Sequence, residues 1–137
     1  MKFPVKITKK RKTGNLGEAL VAKYLKNKAF LILGRNYLLP YGEVDVIAEK
    51  EGVIHFIEVK AVTCEISEEG VSREIGWNPA DRVDRGKLRR VGKAAEAYLA
   101  QMKLSDMDWQ LDVAIVKIDP EHKRASVELL ENQSLES

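Results

Sequence analysis

Cysteine is almost missing from this 137-residue sequence, where Cys64 stands alone. An internal disulfide is thereby excluded, and the chain suits a reducing cytoplasm. No apolar run is long enough to cross a bilayer, and the N-terminal residues lack the apolar core of a secretory signal. The two histidines, His55 and His122, have no partner at metal-ligand spacing, and Cys64 has no Cys or His nearby. No zinc site is expected. Glycine-rich phosphate loops, a nucleophile elbow and a dinucleotide fingerprint are absent, as are internal repeats and low-complexity tracts. Charge of one sign is not in excess either. A formal net charge of +2 points to no partner class.

What is present is enough chain for one domain with one real core. The basic residues are unevenly placed. Lys2, Lys6, Lys9, Lys10, Arg11 and Lys12 precede any acid, and Arg82, Arg85, Lys87, Arg89, Arg90 and Lys93 face only Asp84. Two such clusters make local positive fields suited to phosphates, although many charge runs are plain solvated surface. Residues 1–13 read as a flexible basic arm, 14–131 as the domain, and 132–137 as a polar tail.

Along the chain, Thr13 or Asn15 can cap a helix ending near Lys28, with Glu18 three residues after Asn15 as in a capping box. Glu18 also lies at the edge of the apolar stripe of Leu16, Ala19, Leu20, Ala22 and Leu25, so a capping role and a functional role both stand. A strand begins at Phe30 and runs irregularly to Leu38. Two further strands follow, Gly42–Ala48 and Val53–Lys60. Residues 64–81 read as a long loop, in which Trp77 either anchors on the core or stacks on a base. Asp81 can cap a second helix, from about Arg82 to Met102. Lys87 falls on its apolar stripe and either snorkels outward or directs its ammonium to the sheet. Strands at 109–118 and 125–130 close the domain. The order helix, three strands, helix, two strands predicts an α/β architecture around a mixed central sheet.

The chemistry concentrates in the hairpin of the second and third strands. A two-residue turn at Glu51-Gly52, with glycine supplying a positive φ, pairs residues so that Asp45 stands opposite Glu58. Opposed side chains lie about 5 Å apart, and like charges there repel. Both strands are apolar on both faces, so two carboxylates and Lys60 on that surface need a cation. Hard oxygen donors select Mg²⁺ or Mn²⁺. A metal held by Asp45, Glu58 and a strand carbonyl such as that of Val59 can polarise a phosphate and acidify water, with Lys60 orienting that water or stabilising charge on phosphorus. The competing reading is a structural Asp/Glu/Lys ion-pair cluster. Asp112, inside an apolar strand, reads as the structural partner of a buried donor. His55 faces away from Glu58.

From Gly14 to about Val116 the chain resembles the YraN-like family of bacterial proteins, predicted endonucleases distantly related to archaeal Holliday junction resolvases. The resemblance is carried by Gly14-Asn15-Leu16-Gly17-Glu18-Ala19, Arg35-Asn36-Tyr37, Gly42-Glu43-Val44-Asp45-Val46-Ile47-Ala48, Phe56-Ile57-Glu58-Val59-Lys60, Lys87-Leu88, Ala97-Tyr98-Leu99 and Asp112-Val113. It implies a restriction-endonuclease-like fold of the PD-(D/E)xK type, with Asp45 and Glu58 as metal ligands, Lys60 as catalytic lysine and Glu18 as a helix carboxylate near the metal. It further implies DNA, branched or junction DNA included, as substrate, and a homodimer. Val44 replaces the motif's proline, and Val62 stands where many relatives carry a basic residue. Glu43 and Lys87 match family positions without an assigned role.

Overall fold

In the computed structural model, which describes residues 9–70 and 83–133 with side chains from Leu16 onward, the elements follow the expected order. They are α1 (Lys9–Asn27), β1 (Leu31–Leu39), β2 (Gly42–Lys50), β3 (Val53–Thr63), α2 (Arg85–Gln101), β4 (Asp108–Asp119) and β5 (Arg124–Leu130). The strands form one sheet in the order β1-β2-β3-β4-β5. β3 and β4 are parallel and all other neighbours antiparallel, so the sheet is mixed. Parallel neighbours need a crossover, and the segment containing α2 supplies it. This is the α/β architecture expected from the sequence and is consistent with a restriction-endonuclease-like fold. No helix among the described residues is long and apolar enough to cross a membrane.

The β2–β3 hairpin sets the frame. Glu51 and Gly52 both have positive φ, 51° and 80°, as a two-residue turn that follows strand twist requires. Lys50 pairs with Val53, Ile47 with Phe56 and Val46 with Ile57, the register inferred from the sequence. A Cβ added at Gly52 meets nothing within 4 Å, so Gly52→Ala is expected to cost only the left-handed backbone penalty. A loss of about 1 kcal/mol in urea denaturation, with metal binding unchanged, is the expected result.

Helices cover both faces of the sheet, which is why β3 and β4 read as nearly continuous apolar runs rather than alternating ones. Ile47, Ile54, Phe56, Val113 and Ile115 pack under Leu88, Val91, Tyr98 and Leu99 of α2. Val46, Ala48, Ile57, Ala114 and Val116 pack under Val21 and Leu25 of α1. One sheet thus separates two cores.

Two helix starts differ from expectation. α1 begins at Lys9, so Thr13 and Asn15 lie inside the helix rather than capping it, and residues 9–13 are helical rather than a loose arm. Lysine and arginine are good helix formers, and the density of charge in that run conceals this. α2 begins at Arg85 and is capped by Asp84, whose Oδ1 accepts from the Lys87 amide at 3.0 Å. Asp81, Arg82 and Trp77 lie outside the described residues.

Candidate active site in a fork between two strands

The β2–β3 ladder stops at Val46–Ile57, one pair short of Asp45 and Glu58. Beyond it β3 continues against β4 as far as the Thr63–Ile118 pair, while β2 stays with β1 as far as the Leu39–Gly42 pair. The sheet therefore forks at Asp45. The bend has a local cause. Asn36, between the Arg35–Val46 and Tyr37–Val44 pairs, takes a φ of 51°. Strict alternation would place Val44 and Val46 on one face, yet Val44 packs in the α2-side core and Val46 in the α1-side core. Asp45 is the residue at which β2 turns over.

Inside the fork, the Asp45 carboxylate takes over the pairing that β2 has abandoned. Its Oδ2 accepts from the Val59 backbone N–H at 2.8 Å. Val59 thus enters through its amide. Burial pushes the Asp45 carboxyl up to about 6. The Val59 amide and Lys87 oppose that rise, and the charges of Glu58 and Glu43 add to it. Asp45 and Glu58 therefore share one electrostatic neighbourhood, although they do not form the directly opposed cross-strand pair expected from the sequence.

Glu58 is buried at the α2-side face, and Lys87 reaches down from the first turn of α2 to place Nζ 3.0 Å from Glu58 Oε1. Asp84 fixes where α2 starts and so fixes which turn carries Lys87. Of the two orientations open to Lys87 from sequence, the structure has the one toward the sheet. Desolvation lowers the pKa of its ammonium, but Glu58 first, then Asp45 and Glu43, more than offset it and hold the ammonium charged.

Glu18 arrives from α1. Only 8% of its surface is exposed, and Oε1 has no hydrogen-bond partner. Burial first, then Asp45 and Glu43, push its carboxyl up to about 7, against Arg35 and an Asn36 hydrogen bond. A buried carboxyl with one oxygen unpartnered, beside two other acids, wants a proton or a cation. A capping role is excluded, since Glu18 lies well inside α1. Arg35 Nε is also buried without a partner. Glu43 is exposed at the rim.

Lys60 is exposed, one full pleat beyond Glu58, and its charge helps lower the carboxyl of Asp84, after the Lys87 and Gly86 amides and Arg90. It is the open-side cation, whereas Lys87 is the inner one. Arg89 and Arg90 are exposed on α2, and the Arg90 backbone lies against Gly42 at the start of β2. Arg85 is exposed at the start of the same helix. Lys9, Lys10, Arg11 and Lys12 occupy the first turns of α1. The basic surface of α2 therefore adjoins the fork.

The donor set fits a hard divalent ion: Asp45 and Glu58 for direct contact, and Glu18 as a third carboxyl. These three are not within 4.8 Å of one another, and a tighter trio lies elsewhere, at His55, Asp112 and Glu131. Sequence reasoning gave no role to Arg35 and Asn36. The β1–β2 register is the signal that would have placed Asn36 opposite Asp45.

The model of the Uncharacterised protein family UPF0102 matches residues 17–116, which contain every fork residue named above. The UPF0102 protein of Campylobacter lari is 37% identical over 121 residues, covering 88% of this chain and 92% of the relative. That of Dictyoglomus thermophilum is 35% identical over 123 residues, covering 89% and 96%. A UPF0102 protein of Campylobacter jejuni is 36% identical over 106 residues, covering 77% and 84%.

Proposed function

The chain belongs to the UPF0102 (YraN) family, and from that premise we propose that it is a divalent-metal-dependent nuclease hydrolysing phosphodiester bonds in DNA, branched or junction DNA included. The observation carrying this reading is the fork, where a half-buried Asp45 is anchored by the Val59 amide beside Glu58 and a buried Glu18 whose Oε1 has no partner. Mg²⁺ or Mn²⁺ bound there supplies Lewis acidity toward a phosphate oxygen and a more acidic water.

The protein's own groups have distinct tasks. Asp45 and Glu58 are the metal ligands, and the Val59 N–H holds Asp45 in one rotamer so that its other oxygen is available. Lys87 pairs with the buried Glu58 carboxylate, the position where a bound metal would be its cationic partner instead. Lys60, on the open side, meets the scissile phosphate, orienting water or stabilising charge on phosphorus. Glu18, with its carboxyl near 7, can hold or release a proton at neutral pH. Arg85, Arg89, Arg90 and the α1 lysines contact backbone phosphates. A homodimer would present two forks to a two-fold substrate, and a cytoplasmic location matches DNA as partner.

The test is cleavage of linear, nicked and four-way DNA with Mg²⁺ and with Mn²⁺. Activity lost in Lys60→Ala, with the fold intact, is the expected result. One observation favours a second reading. Lys87 already compensates Glu58, as in a binding module that keeps the fold without turnover. DNA binding without metal-dependent cleavage of any of the three substrates would select that reading. The basic surface has its own test. The log–log salt slope of DNA affinity should shrink by about 1 for each phosphate contact removed, as in Arg89→Ala and Arg90→Ala. An unchanged slope in the double variant excludes those contacts.

A further inference from the structure

On the other face of the sheet from Glu58, we propose that His55, Asp112 and Glu131 form a second metal site, for a borderline divalent transition ion such as Zn²⁺ or Co²⁺. One ligand atom of each lies within 4.8 Å of the others, the only such group of three among the described residues. Ligands on one such ion stand about 3–4 Å apart when each bond is about 2.0–2.2 Å, so the ion needs only small side-chain adjustments. Imidazole with two carboxylates suits borderline ions better than Mg²⁺.

The site is built rather than accidental. Asp112 is fully buried, and its Oδ1 accepts from Gln110 Nε2 at 2.8 Å and the Asn132 amide at 2.9 Å. Those two donors lock the carboxylate and leave Oδ2 to His55 Nδ1 at 2.6 Å. The same Asn132 amide, with Gln133 N–H donating to the Leu111 carbonyl at 2.7 Å, ties the segment after β5 to β4. Asn132 takes a φ of 53°, which asparagine tolerates, and the turn sets Glu131 at the rim. His55 is 5% exposed and packs edge-on against Phe30, with ring centroids 4.9 Å apart.

A cavity of about 520 Å³ opens beside the trio, lined by Tyr24, Phe30, His55, Gln110 and Glu131, giving an ion an entry path and room for water. Lys28 and Lys50 border it, and Glu51 and Glu131 offset them. The ion takes the place of the hydrogen bond between His55 Nδ1 and Asp112 Oδ2, with the imidazole carrying its proton on Nε2. Glu131 lies outside the residues matched by the family model, and none of the three ligands is a fork residue.

The experiment is a Co²⁺ titration of the full chain, followed by visible absorption and by melting temperature. The wild type should develop a ligand-field band and melt higher, because the ion binds the folded state. Glu131→Gln removes an exposed ligand at little cost to the fold and should weaken Co²⁺ by more than about tenfold. Mg²⁺ binding at the fork and DNA cleavage should be unchanged in that variant, so failure here leaves the nuclease reading untouched. Asp45→Asn should keep the Co²⁺ band. No band in the wild type, an unaltered titration in Glu131→Gln, or loss of the band in Asp45→Asn overturns the proposal.

Discussion

Asp45→Asn is expected to lower metal-dependent DNA cleavage by at least about a thousandfold while the protein stays folded. The fold survives because the asparagine carbonyl can still accept from the Val59 amide, and that bond is what holds the side chain in the fork. The charge does not survive. A neutral amide cannot hold a hard dication beside Glu58, and each lost ligand or preorganised charge is worth roughly a hundred- to a thousandfold in rate. Loss of the carboxylate also removes a repulsion with Glu58, Glu43 and Glu18, so the apo variant should be as stable as the wild type or slightly more so. Lys60→Ala separates chemistry from folding in the same way. Lys60 is exposed, so its removal should shift stability by less than about 0.5 kcal/mol while cutting the rate roughly a hundredfold or more. Lys87→Met behaves oppositely. It strands the buried Glu58 carboxylate, so it should cost roughly 1–2 kcal/mol of stability, a figure reduced for the half-exposed lysine. Rates measured alongside urea denaturation for the three variants distinguish these outcomes. Equal activity in Asp45→Asn and wild type contradicts the assignment of the fork.

The second large effect is a fall in apo stability as pH rises. Glu18 and Asp45 have carboxyls pushed up from 4.5 to about 7 and from 3.8 to about 6. An acid raised in this way holds its proton in the folded state where the unfolded chain has already released it. Stability therefore declines with pH between about 4 and about 7 and levels off above, once both states are ionised. Asp119 acts in the opposite sense and at lower pH. The Ile66 amide and His122 push its carboxyl down to about 2, so its contribution is complete above about 4 and is lost below. Glu18→Gln should consequently gain roughly 1–3 kcal/mol over wild type at pH 8 and almost nothing at pH 4. Mg²⁺ should stabilise the wild type more at pH 8 than at pH 5, because protonated carboxyls bind no metal. Thermal melts at the two pH values, with and without Mg²⁺, check both statements. A Glu18→Gln variant less stable than wild type at pH 8 contradicts the unfavourable burial of that carboxylate.

Much of this was legible in the residues. The Glu51-Gly52 turn fixed the hairpin register, and period-two counting then put Asp45 with Glu58 and His55 on the other face. The resemblance supplied Glu18 as a carboxyl near the site, a role that spacing alone left open against capping. Less legible was the fork itself, because nothing in the alternation of β2 announces that Asn36 takes a positive φ and rolls the strand over at Asp45. The start of α1 was hidden because a run of lysines reads as a solvated arm, although lysine is a good helix former. Lys87 could be placed on a helix stripe but not aimed, since its partner Glu58 is a tertiary neighbour. The grouping of His55, Asp112 and Glu131 had no local signature at all. Their ligand atoms meet only because β3 and β4 run parallel and the turn after β5 folds back on Asp112.

The central claim is that a divalent cation belongs in the fork between β2 and β3. The Val59 amide is its most direct reporter, because that N–H is bonded to the Asp45 carboxylate. In a Mg²⁺ titration followed by backbone amide NMR, the Val59 resonance should move saturably in the wild type and stay still in Asp45→Asn. A Val59 amide indifferent to millimolar Mg²⁺ in the wild type would contradict the account.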